Sequence, residues 1–368
     1  MCGLRQRVLP LLLASLLAAC TATWPAEPLR LGVAGLVHGH VSGFFRRALG
    51  REDVVIAGIA ETDTRAIERY RSRYGLDAAL FHAALGPMLD AARPDAVVVF
   101  SNTRDHRAIV EACAARRLPV KMEKPLAQSL ADARAIEQAA RAAQIPVLVN
   151  YETIWRRNIQ SAYQIVTEQE AIGELRKLVV HIGHSGPKEL GCAPEFLEWL
   201  GDPALGGGAL DDFACYGANL ATWLMGGARP TSVACVVQQI KPDVYPDVED
   251  EATLLLTYPK AQAILHASWN APFDRKDLEI YGQTGSVLTV EQVALRVRIE
   301  EMGEEELNGD ALAPPYDDPL NYLAAVVRGE IRPAGLPSLE NNLIVSEILD
   351  AAHESARTGR RIELPLAR

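Results

Sequence analysis

The chain has 368 residues, 49% of them hydrophobic and 23% charged, with a formal net charge of −10. That length exceeds what one hydrophobic core serves well, so two domains are expected, and the composition excludes a collagen-like, low-complexity or disordered chain. The acidic balance argues against a nucleic-acid partner or an anionic membrane surface.

Arg5 and Arg7 precede an apolar run, Val8 to Leu17, which ends in Leu17-Ala18-Ala19-Cys20. A charged start, a short apolar stretch and small residues before a cysteine read as a secretory signal over residues 1–20; the run is too short to span a membrane comfortably. The ending resembles a bacterial lipobox, which would place a lipid on Cys20 and the protein on the periplasmic side. A plain signal peptide cut nearby and an uncleaved anchor are the alternatives. Residues 21–28, with Pro25 and Pro28, read as a tether. Cys113, Cys192, Cys215 and Cys235 form no C-x-x-C pair and show no metal-ligand spacing, and are expected as buried thiols.

From residue 29 to 150 apolar strands alternate with amphipathic helices. Strands are predicted at 31–36, 54–60, 95–100, 118–122 and 145–149, and helices at 41–49, 106–115 and 130–143. The run Ala96-Val97-Val98-Val99 is apolar throughout, as a strand buried on both faces should be. Alternating β and α units predict a doubly wound parallel sheet, with its ligand crevice at the carboxyl ends of the strands. Beyond residue 150 the texture changes. Predicted strands at 175–182, 232–239, 252–258, 261–269, 277–282 and 286–290 are joined by turns such as Gly282-Gln283-Thr284-Gly285. Helices are expected at 159–167, 210–224, 320–328 and 339–357. Residues 151–368 are therefore expected to form a second, α+β domain with a mostly antiparallel open sheet.

Candidate functional residues fall at the predicted strand ends. Gly35-Leu36-Val37-His38-Gly39-His40 joins the first strand to the first helix. Such a turn meets an anion with free backbone N–H groups and a helix dipole. Gly35 fits the first position of G-x-G-x-x-G, Val37 and His40 replace the second and third, and Gly39 is displaced by one. Both a nucleotide turn and a plain βα turn fit this pattern. Glu61 ends the second strand; an acid there accepts hydrogen bonds from a ribose diol and repels a 2′-phosphate, favouring NAD, while Arg65 leaves NADP open. Asn102 and His106, after the strand at 95–100, suit either the nicotinamide half of a cofactor or helix capping. Lys124, in Met122-Glu123-Lys124-Pro125, follows a strand and is held by a proline, so its ammonium has a defined direction. Asp212 and Tyr216 are four apart on one helical face, behind Gly206-Gly207-Gly208. A carboxylate and a phenol there suit proton transfer at a hydroxyl or carbonyl. His181 and His184 are three apart on a strand and do not share a metal; His184 is the better candidate for a substrate contact, and no metal site is expected.

The glycine turn, Glu123-Lys124-Pro125 and Gly206-Gly207-Gly208-Ala209-Leu210-Asp211-Asp212 with Tyr216, in this order, resemble the Gfo/Idh/MocA family, named for glucose–fructose oxidoreductase and inositol dehydrogenase. The resemblance runs from about Leu29 to Pro365. It implies a Rossmann domain, bound NAD or NADP, and a sugar, polyol or related substrate at the domain junction. It implies that Lys124 orients and polarises the reacting hydroxyl, that Tyr216 is the general acid/base, and that Asp212 contacts the substrate or the proton donor. Tyr216 stands where most members carry histidine and the glucose–fructose oxidoreductase branch carries tyrosine. Asn219 replaces a second aspartate. Gly35, Val37, His38, Gly39, His40, Glu61, Asn102, His106 and Glu123 are the expected cofactor contacts; Lys124, Asn150, His184, Asp212 and Tyr216 are the expected substrate contacts. An exported enzyme meets little free dinucleotide, so a tightly held, self-regenerated cofactor is expected. Alternatives are a NAD-dependent glycosidase acting through transient sugar oxidation, and an exported binding protein without catalysis. The open sheet implies a homo-oligomer.

Overall fold

The computed structural model describes residues 27–300 and 302–366. The predicted signal with Cys20, and most of the tether, lie outside them. The first sheet has six parallel strands in the order β3-β2-β1-β4-β5-β6. They are β1 (Leu29–Ala34), β2 (Val54–Ala60), β3 (Phe81–His82), β4 (Ala96–Val99), β5 (Val120–Glu123) and β6 (Val147–Asn150). The crossover helices are α1 (Val41–Ala48), α2 (Thr64–Tyr74), α3 (Leu85–Ala92), α4 (His106–Ala114) and α5 (Leu130–Ala143). All four residues of β4 are buried, as its unbroken apolar run requires. Strand order reverses at β1, which pairs with β2 on one side and β4 on the other. The crevice of a doubly wound sheet opens at that point. α2, with no predicted counterpart, is bounded by local chemistry: Asp63 accepts the N–H groups of Arg65 and Ala66 at its start, and Gly75 closes it at φ 63°.

The second sheet has nine strands in the order β14-β13-β12-β11-β7-β10-β9-β8-β15. They are β7 (Leu175–Gly183), β8 (Ser232–Gln238), β9 (Glu251–Thr257), β10 (Gln262–Ser268), β11 (Arg275–Gly282), β12 (Gly285–Val290), β13 (Ala294–Ile299), β14 (Glu305–Asn308) and β15 (Ile362–Glu363). Seven of its eight pairings are antiparallel; β7 and β10 run parallel. Around this sheet lie α6 (Arg157–Tyr163), α8 (Cys215–Leu224) and α10 (Leu339–Thr358), whereas α7 (Pro194–Leu200) packs against the first domain, Phe196 and Trp199 on His38. α8 and α10 pack on one face. In β9, Ala252, Leu254 and Leu256 are buried while Thr253 and Leu255 point outward, so the other face is open.

α9 (Pro319–Val327) departs from the expected division at residue 150. It returns to the first domain, where Leu320, Leu323 and Val326 share a core with Leu31, Val33, Phe44 and Phe45. The four described cysteines are free; Cys113, Cys215 and Cys235 are buried and Cys192 partly so.

Candidate active site

Two elements from different sheets meet to form the centre. β5 delivers Glu123 and, directly after it, Lys124, whose peptide to Pro125 is cis. From the second domain comes a π-helical turn, Leu210–Ala214, that runs into α8. A π turn adds a residue per hydrogen-bonded ring and re-aims the side chains it carries. The triple glycine lets this turn start close against its support. Gly208 has φ +105°, and a Cβ there would run into the Glu249 carboxylate, which accepts the N–H of Leu210 at 3.0 Å. The close approach that these glycines permit is thus to the protein itself.

Lys124 donates to the carbonyl of Asp212 at 2.9 Å and forms an ion pair with its Oδ1. Trp269 Nε1, just past β10, donates to Asp212 Oδ2 at 2.9 Å. Burial alone would push the Lys124 ammonium down and the Asp212 carboxyl up. Their mutual attraction wins, leaving Lys124 above and Asp212 below their ordinary values. Tyr216 presents its ring to two ammonium groups, Lys124 at 5.5 Å and Lys276 at 5.7 Å from the centroid. Burial, and then the negative charge of Glu152, push its phenol well above its ordinary value, so it is protonated at neutral pH. The three side chains are shut in: Lys124, Asp212 and Tyr216 are 3%, 6% and 1% exposed. Phe213 borders them, its ring 5.9 Å from the Lys124 ammonium.

Phe213 is also part of the wall of a cavity of about 500 Å³, with His184, Glu152, Asp274 and Lys276. His184 meets the Phe213 ring edge-on at 4.7 Å, and its Nδ1 accepts the N–H of Gly186 at 3.0 Å. Glu152 binds Arg156 at 2.7 Å and pairs with Lys276; burial opposes its ionisation, but Lys276 and then Arg156 hold its carboxyl at about 2. A second cavity, of about 300 Å³, shares Glu152 and is lined by His40, Lys121, Glu123, Asn150 and Trp155. Asn150 Nδ2 donates to Glu123 Oε1 at 2.9 Å, and His40 Nδ1 lies 2.9 Å from Glu123 Oε2. A third, of about 490 Å³, contains Gly35, Val37, Glu61 and Asn102.

This last cavity fits the adenosine half of a dinucleotide, because it opens beside the end of β2 at the switch point. Gly35 takes φ +83°, and a Cβ there would lie 2.7 Å from the backbone nitrogen of Ser101. The Glu61 carboxylate accepts the N–H groups of Leu36 at 2.5 Å, Thr62 at 2.6 Å and Asp63 at 2.8 Å, which fixes it at the cavity wall. Arg65 is bound by Asp63 and Glu198, two bonds of 2.7 Å to the latter, so its guanidinium is already engaged. A fixed carboxylate and a neutralised arginine suit a free ribose diol, as in NAD.

The structure moves some expected residues. Asn102 lines the cavity that also holds Glu61, and its side chain caps the following turn by accepting the N–H of Asp105 at 3.1 Å. His106 is corrected: it is 1% exposed, with Nδ1 facing the carbonyls of Pro125 and Leu126 at 3.1 and 3.2 Å, and so braces the lysine loop. Asn219 is wholly buried and donates to the carbonyl of Leu336 at 2.9 Å. His181 sits 4.0 Å from Glu279 on the open sheet face, apart from His184. No metal ligands were expected, yet the fold sets donor atoms of His38, His40 and Glu123 within 4.8 Å of one another. Sequence reading missed Trp269, Glu152, Phe213 and Lys276. Lys276 left no local signal, since only the pairing of β11 with β7 brings it to the site.

Comparison with known proteins agrees with this geometry. Residues 29–151 match the family model described as an oxidoreductase family with an NAD-binding Rossmann fold, and residues 159–288 match the GFO/IDH/MocA C-terminal domain. A D-apiose dehydrogenase of Rhizobium rhizogenes is 24% identical over 337 residues, 84% of this chain and 90% of that protein. A trans-1,2-dihydrobenzene-1,2-diol dehydrogenase of Sus scrofa is 26% identical over 63% of this chain and 65% of its own length. Among solved structures, an inositol dehydrogenase homologue of Azotobacter vinelandii in complex with NAD+ superposes with a TM-score of 0.78 at 21% identity, covering 92% of this chain and 98% of that one. An aldose-aldose oxidoreductase from Caulobacter crescentus, complexed with glycerol, gives 0.76 at 21% identity, over 92% of this chain and all of the other. At these identities the structural matches speak to the fold.

Proposed function

The chain belongs to the Gfo/Idh/MocA oxidoreductases, with an NAD-binding domain, and on that premise we propose that it acts at a carbinol carbon of a sugar, polyol or related carbohydrate while keeping its NAD bound through the cycle. The observation that carries this reading is the meeting of Lys124, Asp212 and Tyr216 where the two sheets join, beside a cavity lined by His184 and Lys276. Bound NAD supplies the hydride acceptor and donor. Lys124, held charged by Asp212, orients the substrate oxygen and stabilises the negative charge that grows on it. Tyr216 moves the proton. Because its phenol rests protonated, the step it is ready for is donation to a carbonyl oxygen. In the oxidation half it accepts the substrate's proton as the phenolate left by that donation, which the nearby Lys124 charge stabilises. An aldose-aldose pairing of half-reactions, as in the name of the Caulobacter crescentus protein, would return both residues and the cofactor to their starting state.

Export supports the same economy of cofactor. Arg5 and Arg7, the apolar run and Leu17-Ala18-Ala19-Cys20 favour a periplasmic protein anchored by a lipid on Cys20. Labelling with a radioactive fatty acid in a bacterial host is expected to mark the wild type and not Cys20→Ala. The open sheet face favours a homo-oligomer.

The deciding experiment is to purify protein made in the cytoplasm, denature it and identify released dinucleotide by mass spectrometry. About one NAD(H) per chain is expected. Protein that releases none, and binds none on titration, overturns the reading.

A further inference from the structure

We propose that His38, His40 and Glu123 form a site for one divalent transition-metal ion of the zinc class, built into the turn between β1 and α1. Two imidazoles and one carboxylate are a donor set for zinc, iron or manganese; calcium and magnesium take oxygen ligands. The three donor atoms lie within 4.8 Å of one another. The His40–Glu123 contact, at 2.9 Å, need open by only about 0.5 Å to reach the separation of two ligands on one tetrahedral ion with bonds of about 2.1 Å. The His38 and His40 rings are 4.6 Å apart, so one turn delivers both nitrogens.

The surroundings are those of a prepared ligand set. His38 is 2% exposed, and its Nε2 is buried with no hydrogen-bond partner among the described residues, a state that native structures seldom leave unexplained. Its other ring nitrogen, Nδ1, accepts the N–H of His40 at 3.1 Å. Glu123 is 3% exposed and ionised, and Asn150 fixes its other oxygen. Such outer hydrogen bonds set ligand orientation. His40 and Glu123 open onto the 300 Å³ cavity that also holds Asn150 and Glu152, so an ion with three protein ligands keeps a position facing that space. The metal reading gives His38, His40 and Glu123 a different role from the cofactor contacts expected of them, and it does not rest on the hydride-transfer reading, which is carried by Lys124, Asp212 and Tyr216.

The test uses the full chain, stripped with a chelator and titrated with zinc by calorimetry, then with cobalt while visible d–d bands are recorded. One equivalent per chain and the cobalt bands are expected, with affinity lower by at least about tenfold in His38→Asn and in Glu123→Gln. His40→Asn, at a half-exposed position, keeps the test open if a buried variant fails to fold. His181→Gln, on the open sheet face, is expected to bind as the wild type does. Absent or substoichiometric binding, or binding that the site variants leave unchanged, overturns the proposal. Dinucleotide content measured in the same preparations reports separately on the oxidoreductase reading.

Discussion

Lys124 keeps its charge in a place that would discharge a lone ammonium, and Asp212 is the reason. On the proposed mechanism, replacing Lys124 by Met removes the charge that steadies the substrate oxygen, and turnover is expected to fall by about 10²–10³. Tyr216→Phe removes the proton carrier with almost no change in packing, for an expected loss of about 10²–10⁴. Unchanged melting curves beside these losses would tie them to chemistry. Asp212→Asn tests the electrostatics directly. Without the carboxylate, burial dominates and the Lys124 pKa drops, so the ammonium is lost at lower pH. The alkaline limb of the rate–pH profile should therefore move toward neutrality, and an unmoved limb would separate the pair from the chemistry.

At the level of elements, the β1–α1 turn depends on Gly35. Ala at that position meets the Ser101 backbone at 2.7 Å with φ +83°, and is expected to cost about 1–3 kcal/mol in unfolding measurements, together with dinucleotide affinity. The π turn and α10 are joined by His353 Nε2 and Asp211 Oδ1 at 3.0 Å. Asp211, against the opposing effect of burial, raises His353 from 6.5 to about 9. A value raised in the folded state stabilises fully below the unfolded value, and that stabilisation drains away as pH climbs through the folded one. Stability should therefore decline between those two values in urea titrations, and Asp211→Asn should flatten the decline. How far these elements could be read in advance varied with their chemistry. Buried strands such as β4, and α5, whose bounds match the expected ones, declared themselves by apolar runs or by period. Lys124, Asp212, Tyr216 and Glu61 stood out because each follows a recognisable strand end or glycine turn. α2 hid because Arg65, Glu68, Arg69, Arg71 and Arg73 swamp its short apolar stripe, and β13 and β14 because Arg296, Arg298, Glu305 and Glu306 fill their outward positions. The parallel β7–β10 pair, the brace formed by His106 and the arrival of Lys276 are products of long-range pairing, which no window of sequence contains.

For the whole molecule, the open face of the nine-stranded sheet is the exposed surface most in need of a partner. Val236 is 72% exposed and Leu255 38%, on neighbouring outer strands of one face. A dimer or larger assembly is expected by light scattering, and Val236→Lys with Leu255→Lys is expected to shift it toward single chains. The Lys124–Asp212 pair has a consequence at this scale too. One partner is encoded in the first domain and the other 88 residues later in the second, so the molecule behaves as a logical AND gate. On the proposed mechanism neither half alone is expected to retain activity, however well it folds. Evolution can therefore retune the second domain or the nucleotide-binding domain separately, provided that the seam between them still closes.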